Sequence, residues 1–384
     1  MKYKLGEIFE IGSGGTPSKT HSEYYGGDIP WVKTGDLKGE YLYDVENYIT
    51  EAGLKNSSAR MYEPDTVLIA MYGATIGATS ILKLPACTNQ ACAAFKKSDL
   101  VIPEFLYYFF KSQKPKFVKD GVGGAQPNIS ASYLKQVELD LCSIDEQKKI
   151  VDVLDATSNI ITARQQQLEK LDELIKARFV EMFGDPLNGT AKYPIHQVAE
   201  VAESVDPQPS HRTPLVEEGG IPYISTKDCN YKTGKIDFEG ARKVSRKVLE
   251  EHLNRYTLHD GDFIIGKIGT IGNPVFVPAR DDYTLSANVV LVQPNSELVS
   301  PYFLKYSFES AFVEKQFAEA KNSTSQAAFG IQKVRMVEVM NPEFNVQRGF
   351  ETFVKQVDKS KIAVQKGLDE AQTLFDSLMQ EYFG

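Results

Sequence analysis

The chain of 384 residues is written twice, and this duplication limits its fold more than any other feature. "DIPWVKTGDL" (28–37) returns as "GIPYISTKDC" (220–229), and "PDTVLIAMYGATIG" (64–77) as "GDFIIGKIGTIG" (261–272). "PEFLYYFFKS" (103–112) returns as "PYFLKYSFES" (301–310), and "QPNISASYLKQVEL" (126–139) as "QAAFGIQKVRMVEV" (326–339). The offset drifts from 192 through 198 to 200 and then holds to the end, so Gln147 matches Gln347 and Phe183 matches Phe383. A drifting offset that locks means loops of variable length followed by a rigidly spaced tail. Self-similarity on this scale makes each copy one structural unit.

Each copy has two parts. The first part holds short β-branched and aromatic runs broken by Gly, Pro, Asn and Asp, which predict strands and turns. A helix is expected within it at Pro103–Lys111 and at Pro301–Phe312, each opened by a proline. The last ~40 residues of each copy lack internal proline and space their seam positions alternately four and three apart. In the first copy these are Ile150, Leu154, Thr157, Ile161, Arg164, Leu168, Leu171, Ile175, Arg178 and Met182. In the second they are Phe350, Val354, Val357, Lys361, Val364, Leu368, Ala371, Phe375, Leu378 and Tyr382.

The expected fold class is therefore α+β. Two similar globular α/β domains, 1–142 and 185–342, are joined by a central spacer helix, 143–184, and a C-terminal one, 343–384. A ~40-residue helix is about 60 Å long, and folding the two back antiparallel as a coiled-coil rod buries both seams. The expected molecule is pseudo-two-fold and near-circular. Two heads at fixed spacing suit duplex DNA, whose half-sites must share one face.

Composition excludes several alternatives. The net charge of −8 divides as −1, −2, −3 and −2 over the four segments, so no basic domain is hidden. No apolar run approaches a membrane span, Met1-Lys2-Tyr3-Lys4 leads into no signal-like stretch, and four cysteines make no disulfide scaffold. A reducing cytoplasm is the expected compartment. "GSGGTPSKT" (12–20) lacks the two glycines of a phosphate-binding loop, because Ser13 and Ser18 stand in their places. "NPEF" (341–344) lacks the second proline of an adenine methyltransferase segment, and "LDEAQ" (368–372) lies inside a helical stretch. His21, His196, His211, His252 and His259 show no metal spacing. No catalytic residue, metal site or bound cofactor is expected in this chain.

For contact with DNA, the candidates lie in small-residue turns flanked by donors and acceptors. They are Ser18 and Lys19; Lys33, Thr34 and Asp36 of "KTGD", with Ser225, Thr226 and Lys227 of the equivalent "STKD"; Tyr72 and Thr75 with Lys267 and Thr270; and Gln126 and Asn128 with Ser325 and Gln326. Residues that differ between copies, such as Lys33 against Ser225 and Tyr72 against Lys267, are the candidates for specificity. For any one of these residues, a plain strand connection is the competing explanation. Helix–helix or partner docking is expected at Ile150, Leu154, Ile161, Leu168, Leu171, Ile175, Phe350, Val354, Val357, Val364, Leu368 and Phe375.

The ordered series "IGSGGTPSKTHSEYYGGDIPWVKTGDL", "PDTVLIAMYGATIGA", "TNQACAAFKK", "PEFLYYFFKS", "QPNISASYLKQVELDL" and "IDEQKKIVDVLD" resembles the specificity subunit of a type I restriction-modification enzyme, in both copies and over essentially the whole chain. The resemblance implies two target-recognition domains, each reading half of a split site in double-stranded DNA. It also implies helices that space the domains and dock two methyltransferase (modification) subunits, with a restriction/translocase subunit joining them. Methylation at adenine N6 with S-adenosylmethionine, and cleavage with ATP and Mg, would then belong to the partners. The second copy departs from the first, with "SVDPQPSHRTP" (204–214) for the glycine turn and "LSANVVLVQP" for "TNQACAAFKK", so the two half-sites should differ. The alternatives are a structural adaptor that never touches DNA and a self-sufficient enzyme. The spread acidity favours the first of these, and the missing motifs disfavour the second.

Overall fold

A computed structural model describes residues 1–121, 128–208, 213–231, 233–267, 271–322 and 329–384. The chain packs as two compact units, residues 1–165 with 366–384, and residues 166–365.

The first unit is built on a five-stranded sheet in which Cys92–Phe95 pairs with Ile11–Ser13 on one side and with Val67–Ala70 on the other, both antiparallel. Thr79–Leu82 and Tyr41–Leu42 complete it. Val67–Ala70 is apolar at every position because both its faces are covered. Val67 and Ile69 face a core with Phe105, Phe110, Leu154 and Phe375, whereas Leu68 and Ala70 face Val32, Leu42 and Tyr62. Against the second face lies a smaller sheet, where Trp31 and Val32 pair in parallel with Cys87 and Thr88. The second unit repeats this plan with four strands, Ala202–Val205, Val289–Pro294, Phe263–Gly266 and Gly272–Phe276. Phe263 and Ile265 face one core, and Ile264 the other.

In each unit a short antiparallel pair brings the ends of the globular part together, Lys2–Lys4 with Glu138–Asp140 and Ile195–Gln197 with Glu338–Met340. The long helices follow at Ile144–Phe183 and Phe344–Phe383. Their seams lie where the alternating spacing puts them. Leu154, Ile175, Phe350, Val354, Val357, Val364 and Phe375 are buried, and Ile161, Leu168, Leu171 and Leu368 half-buried. In the second unit Phe179 packs on Phe350, Arg178 lies over Phe353, and Lys361 Nζ donates to Asp172 Oδ1 at 2.5 Å, so the two stretches run antiparallel there. Of the polar seam residues, Lys361 is thus paired, and Thr157 donates its hydroxyl to the Val153 carbonyl. Arg178 pairs through Nη1 with Glu181, while its Nε is buried without a partner among the described residues, and Arg164 is exposed.

Two helix expectations change. The first domain helix runs on from Pro103 to Asp120 through Pro115, which sits on an exposed face. The second is broken into Pro301–Phe308 and Ala311–Asn322, with the Ser310 hydroxyl donating back to Ser307 O and accepting from Val313 N–H.

At the first turn of each long helix a fully buried glutamine ties the helix to its globular part. Gln147 Oε1 accepts from Ile102 N–H at 3.0 Å, and Nε2 donates to Leu100 O and Cys142 O. Gln347 Oε1 accepts from Ser300 N–H at 2.8 Å, and Nε2 donates to Pro342 O and Asn341 Oδ1. Gln147→Leu strands one buried donor and two acceptors, and should cost roughly 2–4 kcal/mol. Urea unfolding followed by the fluorescence of Trp31, the single tryptophan, checks this.

The second unit also buries polar groups that the first lacks. Lys267, 5% exposed, donates to Asp206 Oδ2 at 2.8 Å. Asp206→Ala leaves that ammonium unpaired and should cost about 3–5 kcal/mol, whereas adding Lys267→Met should restore most of the loss, a difference that a double-mutant cycle measures. His252 is buried between Thr284 Oγ1 and Gln208 Oε1, each at 2.5 Å. Burial pulls its pKa below the usual value, with Glu251 opposing and Arg255 assisting. Its neutral form is therefore favoured in the folded state. The stability this provides is present above the unfolded value, about 6.5, and lost as pH falls from there toward the depressed folded value. The urea midpoint of the second unit should drop on acidification across that window, and His252→Gln should flatten the drop.

Candidate nucleic-acid interface

The candidate site grows from a gap between strands in each unit. After Thr88 the chain leaves its parallel partner and rejoins the main sheet at Cys92, so Asn89–Ala91 bridges the two sheets. Three backbone hydrogen bonds hold the bridge: Asn89 N to Val32 O, Met71 N to Ala91 O, and Ile129 N to Met71 O, at 2.9, 2.8 and 3.0 Å. The second unit has the same three, Ser286 N to Ile224 O, Lys267 N to Asn288 O, and Phe329 N to Lys267 O, each at 2.8 Å. The bridge is stiffened alike in both copies, since Asn89 Oδ1 accepts from Ala91 N–H and Ser286 Oγ from Asn288 N–H, side-chain turns of the Asx and serine type.

This frame gathers Lys33, Tyr72 and Asn128 around Asn89 and Gln90 at one rim of the first unit. Lys33 follows Val32, Tyr72 follows Met71, and Tyr72 forms an isolated bridge with Asn128. Tyr72 and Asn128 are exposed, as is Gln90. Thr34 is half-buried, and Thr75 donates its hydroxyl to the Tyr72 carbonyl. In the second unit Ser225, Thr226 and Lys227 occupy the corresponding turn, with only Lys227 exposed.

Several sequence candidates change role. Asp36 is buried and its carboxylate accepts from Lys33 N–H at 2.8 Å. Asp228 accepts from Ser225 N–H at 2.7 Å and from the Ser225 hydroxyl. Both aspartates therefore hold turns, and Asp36 is removed from the contact set. Lys267 matches Met71 and not Tyr72. Gly77 N–H bonds to Ala70 O while Gly272 pairs with Gly266, so the second loop is one residue shorter. That places Lys267 at an inward position, where Asp206 already neutralises it, and it too leaves the set. Gln126, Thr270, Ser325 and Gln326 lie outside the described residues. Ser18 and Lys19 are exposed, and the Ser18 hydroxyl bonds to that of Thr20.

The glycines that precede Ser18 serve close packing. A Cβ on Gly14 would stand 1.7 Å from Thr88 O, and one on Gly15 would stand 2.2 Å from Ser58 Oγ. Only glycine lets this loop reach the bridge, where Gly15 N–H donates to Thr88 O and the Thr16 hydroxyl to Gln90 Oε1. The residues missed from sequence are Asn89, Gln90 and Asn47 in the first unit and Ser286 and Asn288 in the second. For Asn89, Gln90, Ser286 and Asn288 the signal was the polar interruption within "TNQA" and "LSAN"; Asn47 carried no such signal. Among the described residues no group of three or more His, Cys, Asp or Glu is placed to hold a metal ion, and no helix is long and apolar enough to cross a membrane.

Known proteins share this plan. The family model for the type I restriction modification DNA specificity domain matches residues 1–173 and again 191–371. The MjaIX type I specificity subunit of Methanocaldococcus jannaschii is 37% identical over 187 residues, 47% of this chain and 43% of that protein. The HindI specificity subunit of Haemophilus influenzae is 28% identical over 185 residues, 46% of this chain and 40% of its own. The matched stretch thus spans less than half the length of these relatives. The crystal structure of the type I restriction-modification S subunit from M. genitalium aligns over 100% of this chain and 96% of its own, at 15% identity and a TM-score of 0.59. A chain from a structural study of complex assembly and conformational transition in the type I R-M system aligns over 100% and 97%, at 14% identity and 0.60. At such identities these two structures speak for the fold alone. With the family pattern matched in both halves of the sequence, the chain belongs to the type I restriction modification DNA specificity domain family and carries that domain twice.

Proposed function

We propose that this chain is the DNA-reading subunit of a type I restriction-modification system, taking one half of a bipartite, asymmetric duplex target with each unit. The observation that carries this reading is the repeated rim. The same backbone frame presents Lys33, Asn89 and Gln90 in one unit and Ser225, Ser286 and Ala287 in the other. A shared frame with different donors and acceptors is what two readers of different sequences require. Lys19 and Lys227, both exposed, suit phosphate contacts that set register without reading sequence.

The four-part division into domains 1–142 and 185–342 with spacer helices 143–184 and 343–384 belongs to the same reading. Leu154, Ile175, Phe350, Val354 and Phe375 are committed inside their own units. Docking of two methyltransferase subunits, and of a restriction/translocase subunit, therefore falls to outward apolar residues of the helices, among them Val153, Ile160, Leu174, Ile362 and Leu374. Adenine-N6 methylation with S-adenosylmethionine, and cleavage with ATP and Mg, belong to those partners, and this chain binds no cofactor and works in the cytoplasm.

The test is selection from a random duplex pool by the chain assembled with its methyltransferase subunits. A bipartite sequence with unlike halves should be enriched. Lys227→Ala should weaken all sequences evenly and lower the slope of log affinity against log salt by about one. Enrichment of no sequence would leave the structural adaptor as the better account.

A further inference from the structure

The geometry points to Lys33 as a base-reading residue that selects guanine in the half-site taken by the first unit, an inference that rests on the DNA-reading function proposed above. Three observations carry it. Lys33 is held in place: its Nζ donates to Asn47 Oδ1 at 2.6 Å and stands 4.8 Å from the centroid of the Trp31 ring. Both supports are themselves fixed. Trp31 is buried with its indole N–H on Gly15 O, and the Asn47 carbonyl accepts from Trp31 N–H.

A lysine that only neutralises phosphate needs no such anchoring, because a flexible stem carrying a point charge serves that purpose. An ammonium held by one acceptor and one aromatic face retains N–H donors in a set direction. It is a donor-only group, and guanine N7 and O6 form the one major-groove base edge with two acceptors and no donor. A nearby group has the same polarity. Gln90 follows Asn89, whose N–H bonds to the Val32 carbonyl just before Lys33, and its Oε1 accepts from the Thr16 hydroxyl, so its remaining amide hydrogens are donors as well.

The second unit lacks the device. Ser225 replaces Lys33, and its hydroxyl donates to Asp228. This lysine-based device is therefore confined to the first unit.

The test selects bound sequences from a randomised duplex pool with the chain assembled with its methyltransferase subunits, comparing wild type, Lys33→Met and Asn47→Ala. Lys33→Met keeps an apolar stem over Trp31, whose fluorescence reports that the unit remains folded. The expected result is loss of preference for guanine at one position, by about ten-fold or more, with the other half-site unchanged. Asn47→Ala should weaken preference at the same position, because it only releases the lysine. An unchanged consensus in Lys33→Met overturns the inference. So does uniform weakening of every sequence with a salt slope lower by about one, which is the mark of a phosphate contact. A wild-type complex that enriches no sequence removes the DNA reading itself and this inference with it, a failure distinct from the other two.

Discussion

The amide of one buried glutamine joins helix to head in each unit, and the rest of the architecture depends on that joint. Gln147 and Gln347 have no exposed surface, and each bonds the chain just before its own helix and the residue just before the domain helix. A side-chain amide can donate and accept at once, so it can bridge two chain segments that have already used their own partners. A carboxylate there could not donate, and a hydrophobe would leave three polar groups buried and unpaired. The fixed spacing of 200 between copies reflects this constraint, because an insertion between the last globular strand and the glutamine would break the joint.

The rim obeys a different rule. Its three shared hydrogen bonds run between backbone atoms, so they survive any change of side chain. Trp31 and Asn47 support Lys33 in one unit, while Asp228 closes the equivalent turn through Ser225 in the other. Variation in what is displayed costs the frame little, since the backbone contacts hold the frame. The glutamine of the joint is thus kept in both copies, whereas the residues of the rim are not. On the proposed reading, this separation would let recognition change without disturbing the joint between helix and head.

Much of this was legible in the sequence because period and repetition encode packing directly. The seam of the long helices follows from alternating spacing alone, since burial on a helix is periodic. Leu154 and Val354, 200 apart, both lie at 0% exposure. Glycines and prolines misled where their reason was long-range. Gly14 and Gly15 read as part of a glycine turn but are small because Thr88 and Ser58, far along the chain, press on them. The first domain helix, expected over Pro103–Lys111, runs on through Pro115 to Asp120. The match of Tyr72 with Lys267 failed by one residue, since a loop shortened between two fixed strands shifts register without leaving a visible gap. Asn89 and Gln90 were overlooked because a polar pair inside an apolar run reads as a strand irregularity until the two sheets it connects are known.

If the chain reads DNA as proposed, its acidity bears on how it can do so. With a net charge of −8 spread over all its parts, general attraction to phosphate contributes less than in a basic protein, and the counterion-release term that dominates nonspecific binding is correspondingly small. On the proposed reading, affinity must then rest on a limited number of well-directed contacts. An anchored lysine serves such a protein better than a mobile one, because its donors are already oriented and less conformational freedom is lost on binding. Weak nonspecific binding also widens the gap between the right sequence and all others, which is the quantity that matters against a genome of competing sites. The even acidity that argued against a nucleic-acid partner is therefore compatible with one, provided that recognition is concentrated at the two rims.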